Sequence, residues 1–376
     1  MADVSEAVAL TRDLIAFQTV NPPGAELPLI EFLAQRLDAA GFTCTIQTIG
    51  EGRANLLARI GRRDAPGLAF TGHVDVVPLG AKPWSVDPFK GEIKDGRLYG
   101  RGSSDMKSGI AAFIVAASAC AAKLKDGPEV VLAITAGEET GCDGALAMVE
   151  SGILPAAAAL IVGEPTGNQP MIGHKGALWL KAETFGVTSH GSMPELGDNA
   201  VYKAARAIGR LADFDFNVAR HPVLGKPTLN VGKVTGGLNI NSVPDHAEIH
   251  IDVRTIPGMN HAELRDGLTG LIGENAAITS LFDLPGVWTE PDAPWAARAI
   301  AATCAVLGIP FAPKSAPFFT DASVLTPALG HPPTLILGPG ETAQAHQTDE
   351  YAEVAKIDTA VEIYAAILAD WRSAAA

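Results

Sequence analysis

The sequence has few cysteines, a minority of basic residues and no long apolar run, and each shortage argues against a class of protein. Its four cysteines are scattered and form no Cys-x-x-Cys pair, so neither a cysteine-based zinc site nor a disulfide framework is expected. Its 28 Lys and Arg residues are outnumbered by 42 Asp and Glu residues, and they form no basic cluster that could neutralise a phosphate backbone. No stretch of about 18 apolar residues predicts a membrane span. We therefore expect neither a nucleic-acid partner nor a membrane partner.

The composition and the N-terminal segment indicate a globular protein of the cytoplasm. Hydrophobic residues make up 47% and charged residues 19%, which is the balance of a chain with a large core. Residues 1–17 carry acids and helical apolar spacing, without the basic start and unbroken apolar stretch of a signal peptide. The scattered cysteines fit a reducing compartment.

The order of the apolar segments predicts an α/β domain in the first half of the chain. Helical spacing covers residues 3–18 and 26–40, and Gly41 stands where a C-cap glycine is favoured. The segment 110–124 is a helix that is apolar nearly all round and so predicts burial against a sheet. Strands that are apolar on both faces indicate a mostly parallel sheet covered by helices. These strands are TCTIQTI, NLLARI, GLAFTGHVDVV, EVVLAIT and AALIVGEP.

The pattern of predicted helices and strands changes near residue 177, and the earlier α/β pattern resumes near residue 290. Alternating strands and two amphipathic helices, the second at about 261–274, follow the order β-α-β-β-α-β of a ferredoxin-like domain. The α/β character then returns with a helix, the strand TLILG and a closing helix. We predict one α/β domain of residues 1–176 and 291–376, interrupted by an α+β domain of residues 177–290.

Six His and carboxylate residues follow the C-terminal ends of four predicted strands. Because such ends lie along one edge of a parallel sheet, we expect these side chains to converge there. Imidazole and carboxylate groups are ligands that zinc accepts. The residues are His73, Asp75, Glu138, Glu139, Glu164 and His346. Their joint placement predicts a site for two zinc ions that share a bridging carboxylate.

Each of these signals alone also has a plainer interpretation. His73 and Asp75 project to one side of an extended chain, which lets the carboxylate accept the ring N–H of a bound histidine, but a polar strand end looks the same. Asp105 directly precedes the apolar helix and would suit an N-cap. Adjacent Glu138 and Glu139 point apart and can divide the roles of base and ligand, or form a solvated turn.

A second class of enzyme is indicated by residues 338–343, which spell the dinucleotide pattern GxGxxA after a strand. Pro339 fills that loop and no βαβ unit with a downstream acid follows, which argues against a nicotinamide-dependent enzyme.

Taken together, eight motifs resemble the M20 metallopeptidase family, in its branch of acetylornithine deacetylases and succinyl-diaminopimelate desuccinylases. In chain order they are TGHVDVVP, YGRGSSDMKSG, AGEETG, VGEPT, HKG, SHGSMPELGDNA, NSVPDHAEIHIDVRT and GPGETAQAHQTDEY. The resemblance covers nearly the whole chain. It implies a zinc-exopeptidase-like catalytic domain and makes the inserted ferredoxin-like domain a lid that also forms a homodimer.

The resemblance implies five metal ligands. Asp105 would bridge both zinc ions, His73 and Glu164 would complete one site, and Glu139 and His346 would complete the other. A cis peptide bond is expected directly after Asp105.

It also implies roles for five further residues. Glu138 would be the general base and later the acid, and Asp75 would support His73. From the inserted domain, His190 would reach the partner subunit's active site and polarise the scissile carbonyl. Arg254 would pair with a substrate carboxylate, where its guanidinium fork suits two oxygens, and Asn241 would hydrogen-bond nearby.

The expected activity is that of a two-zinc amidohydrolase in amino-acid biosynthesis, which removes an N-acyl group from a small amino acid. Cobalt or manganese could replace zinc. The segments HKG and AQAHQTDEY favour an acetylornithine deacetylase, whereas PFFTDASVL, with Asp321, matches neither branch closely. A succinyl-diaminopimelate desuccinylase and another N-acyl-amino-acid hydrolase or dipeptidase of the family therefore remain open. A non-catalytic binding protein with the same fold would be expected to lose at least one of these residues, and none is missing.

Overall fold

The computed structural model describes residues 4–273 and 276–374, which fall into two compact units. Unit 1 contains residues up to 173, residues 288–316 and residues from 320, and unit 2 contains residues 174–287 and 317–319. Residues 1–3, 274–275 and 375–376, which belong to predicted helices or domains, lie outside the described residues.

The described residues form fifteen strands and ten α-helices, numbered here along the chain. The strands are β1 (Thr43–Gly50), β2 (Arg53–Ile60), β3 (Gly67–His73), β4 (Glu92–Lys94), β5 (Arg97–Tyr99), β6 (Val130–Thr135), β7 (Ala157–Val162), β8 (Gly173–His174), β9 (Gly176–Phe185), β10 (Thr228–Gly236), β11 (His246–Thr255), β12 (Ala276–Leu284), β13 (Val287–Trp288), β14 (Thr334–Ile336) and β15 (Tyr351–Glu353). The helices are α1 (Glu6–Ala16), α2 (Leu27–Ala39), α3 (Ser108–Ala119), α4 (Ala121–Leu124), α5 (Asp143–Glu150), α6 (Ala200–Ala212), α7 (His261–Ile272), α8 (Pro294–Leu307), α9 (Ala322–Ala328) and α10 (Val354–Ala374).

Unit 1 is built on a six-stranded sheet with the strand order β1-β2-β6-β3-β7-β14. Neighbours from β6 to β14 are parallel, whereas β2 runs antiparallel to both of its neighbours. Every residue of β3 and β6 is buried, which fits strands that are apolar on both faces. The predicted mostly parallel sheet covered by helices is confirmed.

Helix α3 packs in the middle of the unit 1 core, as its nearly continuous apolar sequence predicts. It contacts α1 and α10, and its Phe113 ring stacks on Phe70 of β3 with a centroid distance of 4.0 Å. The single helix predicted over residues 110–124 is wrong at Cys120. This residue has non-helical angles (φ −109°, ψ 10°) and separates α3 from α4.

Unit 2 has a four-stranded antiparallel sheet with the strand order β10-β11-β9-β12, and α6 and α7 pack on it. Burial alternates along β11, because one face of the sheet is covered by these helices and the other is open. Helix α6 buries Ala200, Ala204, Ala207 and Leu211 in this contact. That unit 2 acts as a lid or a dimerisation domain stays a prediction. Within the described ranges, no helix combines the length and the apolar character that crossing a membrane requires.

Candidate active site

His73 is the last residue of β3, and its ring lies at the C-terminal edge of the parallel strands. The ring is buried, with Nε2 at 3.2 Å from Asp105 Oδ1 and 3.8 Å from Glu164 Oε1. Its Nδ1 lies 3.0 Å from the backbone carbonyl oxygen of Asp75 and 3.5 Å from that residue's carboxylate. When Nδ1 donates its hydrogen bond to this carbonyl, Nε2 carries a lone pair on the side of Asp105 and Glu164, where it is available to bind a cation.

Asp105 lies between the two histidines that the sequence singles out. Its Oδ1 is 3.2 Å from His73 Nε2, and its Oδ2 is 3.5 Å from His346 Nε2. The N-cap of α3 is Lys107, so the N-cap interpretation of Asp105 is wrong. The peptide bond between Asp105 and Met106 is cis, as expected.

Glu139 and His346 lie on the other side of Asp105. The distance from His346 Nε2 to Glu139 Oε2 is 3.0 Å. About half of the His346 side chain is exposed, whereas that of Glu139 is 8% exposed. Ligand atoms of His73, Asp105 and Glu139 lie within 4.8 Å of one another, a spacing that one cation can span.

The buried Asp75 carboxylate organises the turn that follows β6. It accepts hydrogen bonds from the backbone N–H groups of Glu138 and Glu139 at 3.1 and 3.3 Å, and from Asn21 Nδ2 at 3.0 Å. Asn21 is itself buried and also donates to Thr140 Oγ1 at 3.0 Å. Sequence reasoning missed Asn21, which lies more than 50 positions before its partner and belongs to no metal-ligand pattern.

Several carboxylates crowd this edge of the sheet. Burial raises the pKa of Glu138 well above its usual range, and the nearby Glu164 and Glu139 charges raise it further while His73 opposes them. Burial, together with the Asp105 charge, also raises the pKa of Glu164. Burial works against a charged His73, but hydrogen bonds to Asp105 and Asp75 raise the pKa of this ring well above its usual value. An excess of negative charge in a buried site favours binding of cations.

Asp321, from the segment that matched no family branch, belongs to the same region of unit 1. It is buried, and Thr135 at the end of β6 donates a hydrogen bond to its Oδ2 at 2.5 Å. Burial raises the pKa of Asp321 to about 6. The available signal was an acid inside the mostly apolar segment PFFTDASVL.

The three site residues predicted from the inserted domain lie in unit 2. His190 Nδ1 is 2.7 Å from Ser192 Oγ, and the backbone N–H of Gly191 donates to the Asn241 carbonyl at 2.7 Å. The segments of His190 and Asn241 are therefore neighbours. Arg254, on β11, pairs with Asp252 at 2.9 Å. The catalytic roles of His190, Asn241 and Arg254 stay predictions.

A sequence profile described as peptidase family M20/M25/M40 matches residues 69–370 of the chain. The chain belongs to this family. Membership of the M20 family confirms the resemblance seen in the motifs and makes the chain a hydrolase that acts on amide bonds. Together with the His and carboxylate group at the sheet edge, it also supports a divalent metal cofactor.

M20 relatives with both expected activities are similar over most of the chain. An acetylornithine deacetylase from Vibrio campbellii is 33% identical over 348 residues, which cover 89% of each chain. A succinyl-diaminopimelate desuccinylase from Cereibacter sphaeroides is 34% identical over 387 residues, which cover 97% of this chain and 99% of the relative.

Solved M20 structures share the fold. A metallo-carboxypeptidase from Sulfolobus solfataricus superposes with a TM-score of 0.80 at 19% identity, covering 98% of this chain and 100% of that one. A dinuclear metal-binding peptidase from Bacillus subtilis gives a TM-score of 0.73 at 16% identity, covering 98% of each chain.

Proposed function

We propose that the protein is a two-zinc amidohydrolase that removes an acetyl group from the α-nitrogen of a small amino acid, as an acetylornithine deacetylase does. The observation that carries the proposal is the placement of Asp105, with one carboxylate oxygen toward His73 and the other toward His346. A carboxylate in that position is suited to bridge two cations. Cobalt or manganese is expected to substitute for zinc.

The chemistry of the donor atoms fits such a pair of cations. His73 and Glu164 offer a nitrogen and an oxygen on one side of Asp105, and His346 and Glu139 offer the same on the other. Zinc accepts both donor types. Three carboxylates against two imidazoles leave a negative charge that cations would neutralise.

Glu138 is the general base of the proposed reaction. Bound cations supply the Lewis acidity that lowers the pKa of water and polarises the amide carbonyl. Glu138 is assigned no ligand role, and its raised pKa suits a group that accepts a proton from the attacking water and returns it to the leaving amine. Asp75 holds the main chain at Glu138 in place by accepting its backbone N–H.

Unit 2 supplies the proposed contacts to the substrate. His190 donates a hydrogen bond to the oxyanion that forms on the carbonyl. Arg254 pairs with the substrate carboxylate and Asn241 hydrogen-bonds nearby. We further propose that unit 2 acts as a lid and forms a homodimer in which His190 serves the partner subunit's site, and that the protein works in the cytoplasm.

The alternative function is succinyl-diaminopimelate desuccinylase, which is supported by the relative that matches 97% of this chain. Both reactions break an amide bond and differ in the acyl group. A dipeptidase of the family needs the same cation pair, and a non-catalytic binding protein with this fold would need none of the base chemistry.

A substrate panel tests the proposal. The metal-free protein is reloaded with zinc, cobalt or manganese and given matched Nα-acetyl and N-succinyl amino acids, including those of ornithine and diaminopimelate, together with dipeptides. Release of the free amine is measured. We expect kcat/KM for Nα-acetylornithine to exceed that for the succinyl compounds at least about tenfold, a difference of about 1.4 kcal/mol in transition-state binding.

Each other outcome of the panel assigns a different function. A preference for N-succinyl-diaminopimelate would make the protein a desuccinylase, and a preference for dipeptides would make it a dipeptidase. Absence of turnover by protein shown to hold metal would favour the non-catalytic binding protein.

A further inference from the structure

We infer that the buried ion pair of Arg101 and Glu350 is a positioning element for the metal site, which sets its cation affinity without touching a cation. The inference rests on the proposed function. Neither residue belongs to the predicted set of ligands, base or substrate contacts. Both side chains are buried, and the Nη1 atom of Arg101 lies 2.8 Å from Glu350 Oε2.

The Glu350 carboxylate binds the backbone of the loop that ends in Asp105. Its Oε2 accepts the N–H of Gly102 at 2.9 Å, and its Oε1 accepts those of Ser104 and Asp105 at 2.8 and 3.0 Å. Four donors, including Arg101, thus surround two oxygens. Their number explains how a carboxylate is accommodated away from water, and it fixes the direction in which the loop presents Asp105.

Gly102 allows this close approach of the loop. It has φ +83°, a left-handed conformation that favours glycine, and a Cβ atom here would lie 2.7 Å from Cγ1 of Val76. The loop is therefore shaped to direct the N–H groups of Gly102, Ser104 and Asp105 at one anion.

Arg101, which pairs with Glu350, also hydrogen-bonds to two other segments of the site. Its Nη2 donates to the carbonyl of Pro78 at 3.2 Å, and its Nη1 donates to the carbonyl of Gln347 at 3.3 Å. Pro78 lies three residues after Asp75, and Gln347 directly follows His346. One guanidinium therefore connects the segments that carry His73 and His346 to the carboxylate that holds the Asp105 loop.

A buried ion pair is a poor explanation of stability alone, because desolvation of both charges offsets much of their attraction. A second pair in unit 1 offers a comparison. Glu129 is 3% exposed, and its Oε1 lies 2.7 Å from Nη2 of Arg59. It directly precedes β6, whereas the site lies beyond the other end of that strand. It shares the burial and pairing of Glu350 but holds no segment of the site.

The test compares Glu350→Gln with Glu129→Gln by cobalt binding. A glutamine at position 350 turns an N–H donor toward the backbone N–H groups and loses the negative charge. We expect visible-absorption titration of the metal-free protein to show a cobalt affinity about 10–100-fold weaker for Glu350→Gln. Glu129→Gln should keep the wild-type affinity. Wild-type affinity in a folded Glu350→Gln protein would overturn the inference.

A double variant separates positioning from loss of stability. Glu350→Gln alone leaves Arg101 unpaired, and Arg101→Gln combined with Glu350→Gln removes that charge. We expect the double variant to melt at a higher temperature than Glu350→Gln while its cobalt affinity remains weakened. Recovery of wild-type affinity in the double variant would contradict positioning by Glu350. If the wild-type protein itself bound no cobalt, the proposed function would fail, which is a separate result.

Discussion

The backbone N–H of Glu138 donates a hydrogen bond of 3.1 Å to the carboxylate of Asp75, so the proposed base is held by the residue that also borders His73. The same carboxylate accepts the N–H of Glu139. One buried acid thereby ties the end of β3 to the turn after β6. The positions of Glu138, the proposed base, and Glu139, a proposed ligand, therefore depend on each other through Asp75.

Replacing Asp75 by Asn should disturb that turn more than it disturbs metal binding. An amide offers one oxygen where two backbone N–H groups need acceptors, so the Glu138–Glu139 turn loses at least one hydrogen bond. We expect kcat to fall about 10–100-fold, as for other residues that hydrogen-bond to metal ligands without contacting the metal. Most of the metal should be retained. Steady-state kinetics and metal content measure this.

Asp64→Asn is the control for that prediction, because Asp64 lies in the same unit, before the start of β3, with an exposed side chain that pairs with Arg62. It should leave both quantities unchanged. Equal kcat values for Asp75→Asn and the wild type would contradict the organising role of Asp75.

Glutamine at position 138 and glutamine at position 139 should impair different properties, turnover in one case and metal binding in the other. Glu138→Gln keeps the shape of the side chain but cannot accept a proton, so kcat should fall by about 10²–10⁴-fold with metal content unchanged. Glu139→Gln removes a charged donor beside His346 and should lower metal content first. Kinetics at saturating substrate, with metal analysis of the same samples, distinguishes them. Loss of metal in Glu138→Gln, together with a Glu139→Gln protein that keeps its metal but loses turnover, would reverse the two assignments.

The sequence allowed the sheet and its polar edge to be predicted, because strands buried on both faces are almost continuously apolar and end abruptly in His, Asp or Glu. Four of the proposed ligands, His73, Glu139, Glu164 and His346, follow a predicted strand in this way, whereas the ligand role of Asp105 was implied only by the family resemblance. The strands β4, β5 and β15 have three residues each and are too short for any periodicity. The break at Cys120 has no Gly or Pro to mark it.

The supporting residues of the site could not be predicted for a different reason. Asn21 and Glu350 act on backbone or side-chain groups that are 54 and more than 240 positions away in the sequence. Such partners become neighbours only through the fold. Asn and Glu in loops are common, so nothing in their local sequence distinguished them. Asp321 had a local signal, an acid in a mostly apolar segment, but no motif gave it a role.

Two glycines in helices should respond oppositely to alanine. A Cβ at Gly109 of α3 would lie 2.1 Å from the Gly163 carbonyl oxygen, which directly precedes Glu164, so Gly109→Ala should lower the free energy of unfolding by about 1–3 kcal/mol or more. Gly209 is exposed on α6 and has no atom within 4 Å of the added carbon, so Gly209→Ala should raise that free energy by about 0.5–1 kcal/mol. Urea unfolding measures both. Equal changes of one sign would show that helix propensity, not the contact with Gly163, decides the outcome.

His174 should make the protein less stable in mild acid. This histidine is fully buried, and burial lowers its pKa to about 4. In the unfolded chain the ring takes up a proton near pH 6.5, so the unfolded state binds more protons between about pH 6.5 and 4. The contribution of neutral, buried His174 to the free energy of unfolding is complete above pH 6.5. It declines as the pH falls toward 4, by about 3 kcal/mol in all.

The measurement is urea unfolding at steps of pH for the wild type, His174→Asn and His331→Asn. His331 is exposed and has φ +59°, a conformation that Asn tolerates. The free energy of unfolding of His174→Asn should fall less steeply with acid than that of the wild type, whereas His331→Asn should follow the wild type. Parallel slopes for His174→Asn and the wild type would show that His174 does not titrate on unfolding.

The proposed ligands lie far apart along the chain, with His73 near the start and His346 close to the end, and this order limits when cations can be captured during synthesis. A ribosome that has made the first 300 residues has produced His73, Asp105, Glu139 and Glu164. His346, the proposed partner of Glu139, has not yet been made. The nascent protein can form the early strands in that state, since domains begin to fold while translation continues. Under the proposed function, a second cation can be acquired only after His346 has been made, and a premature stop codon after Gly338 would yield a chain that lacks one of its five proposed ligands.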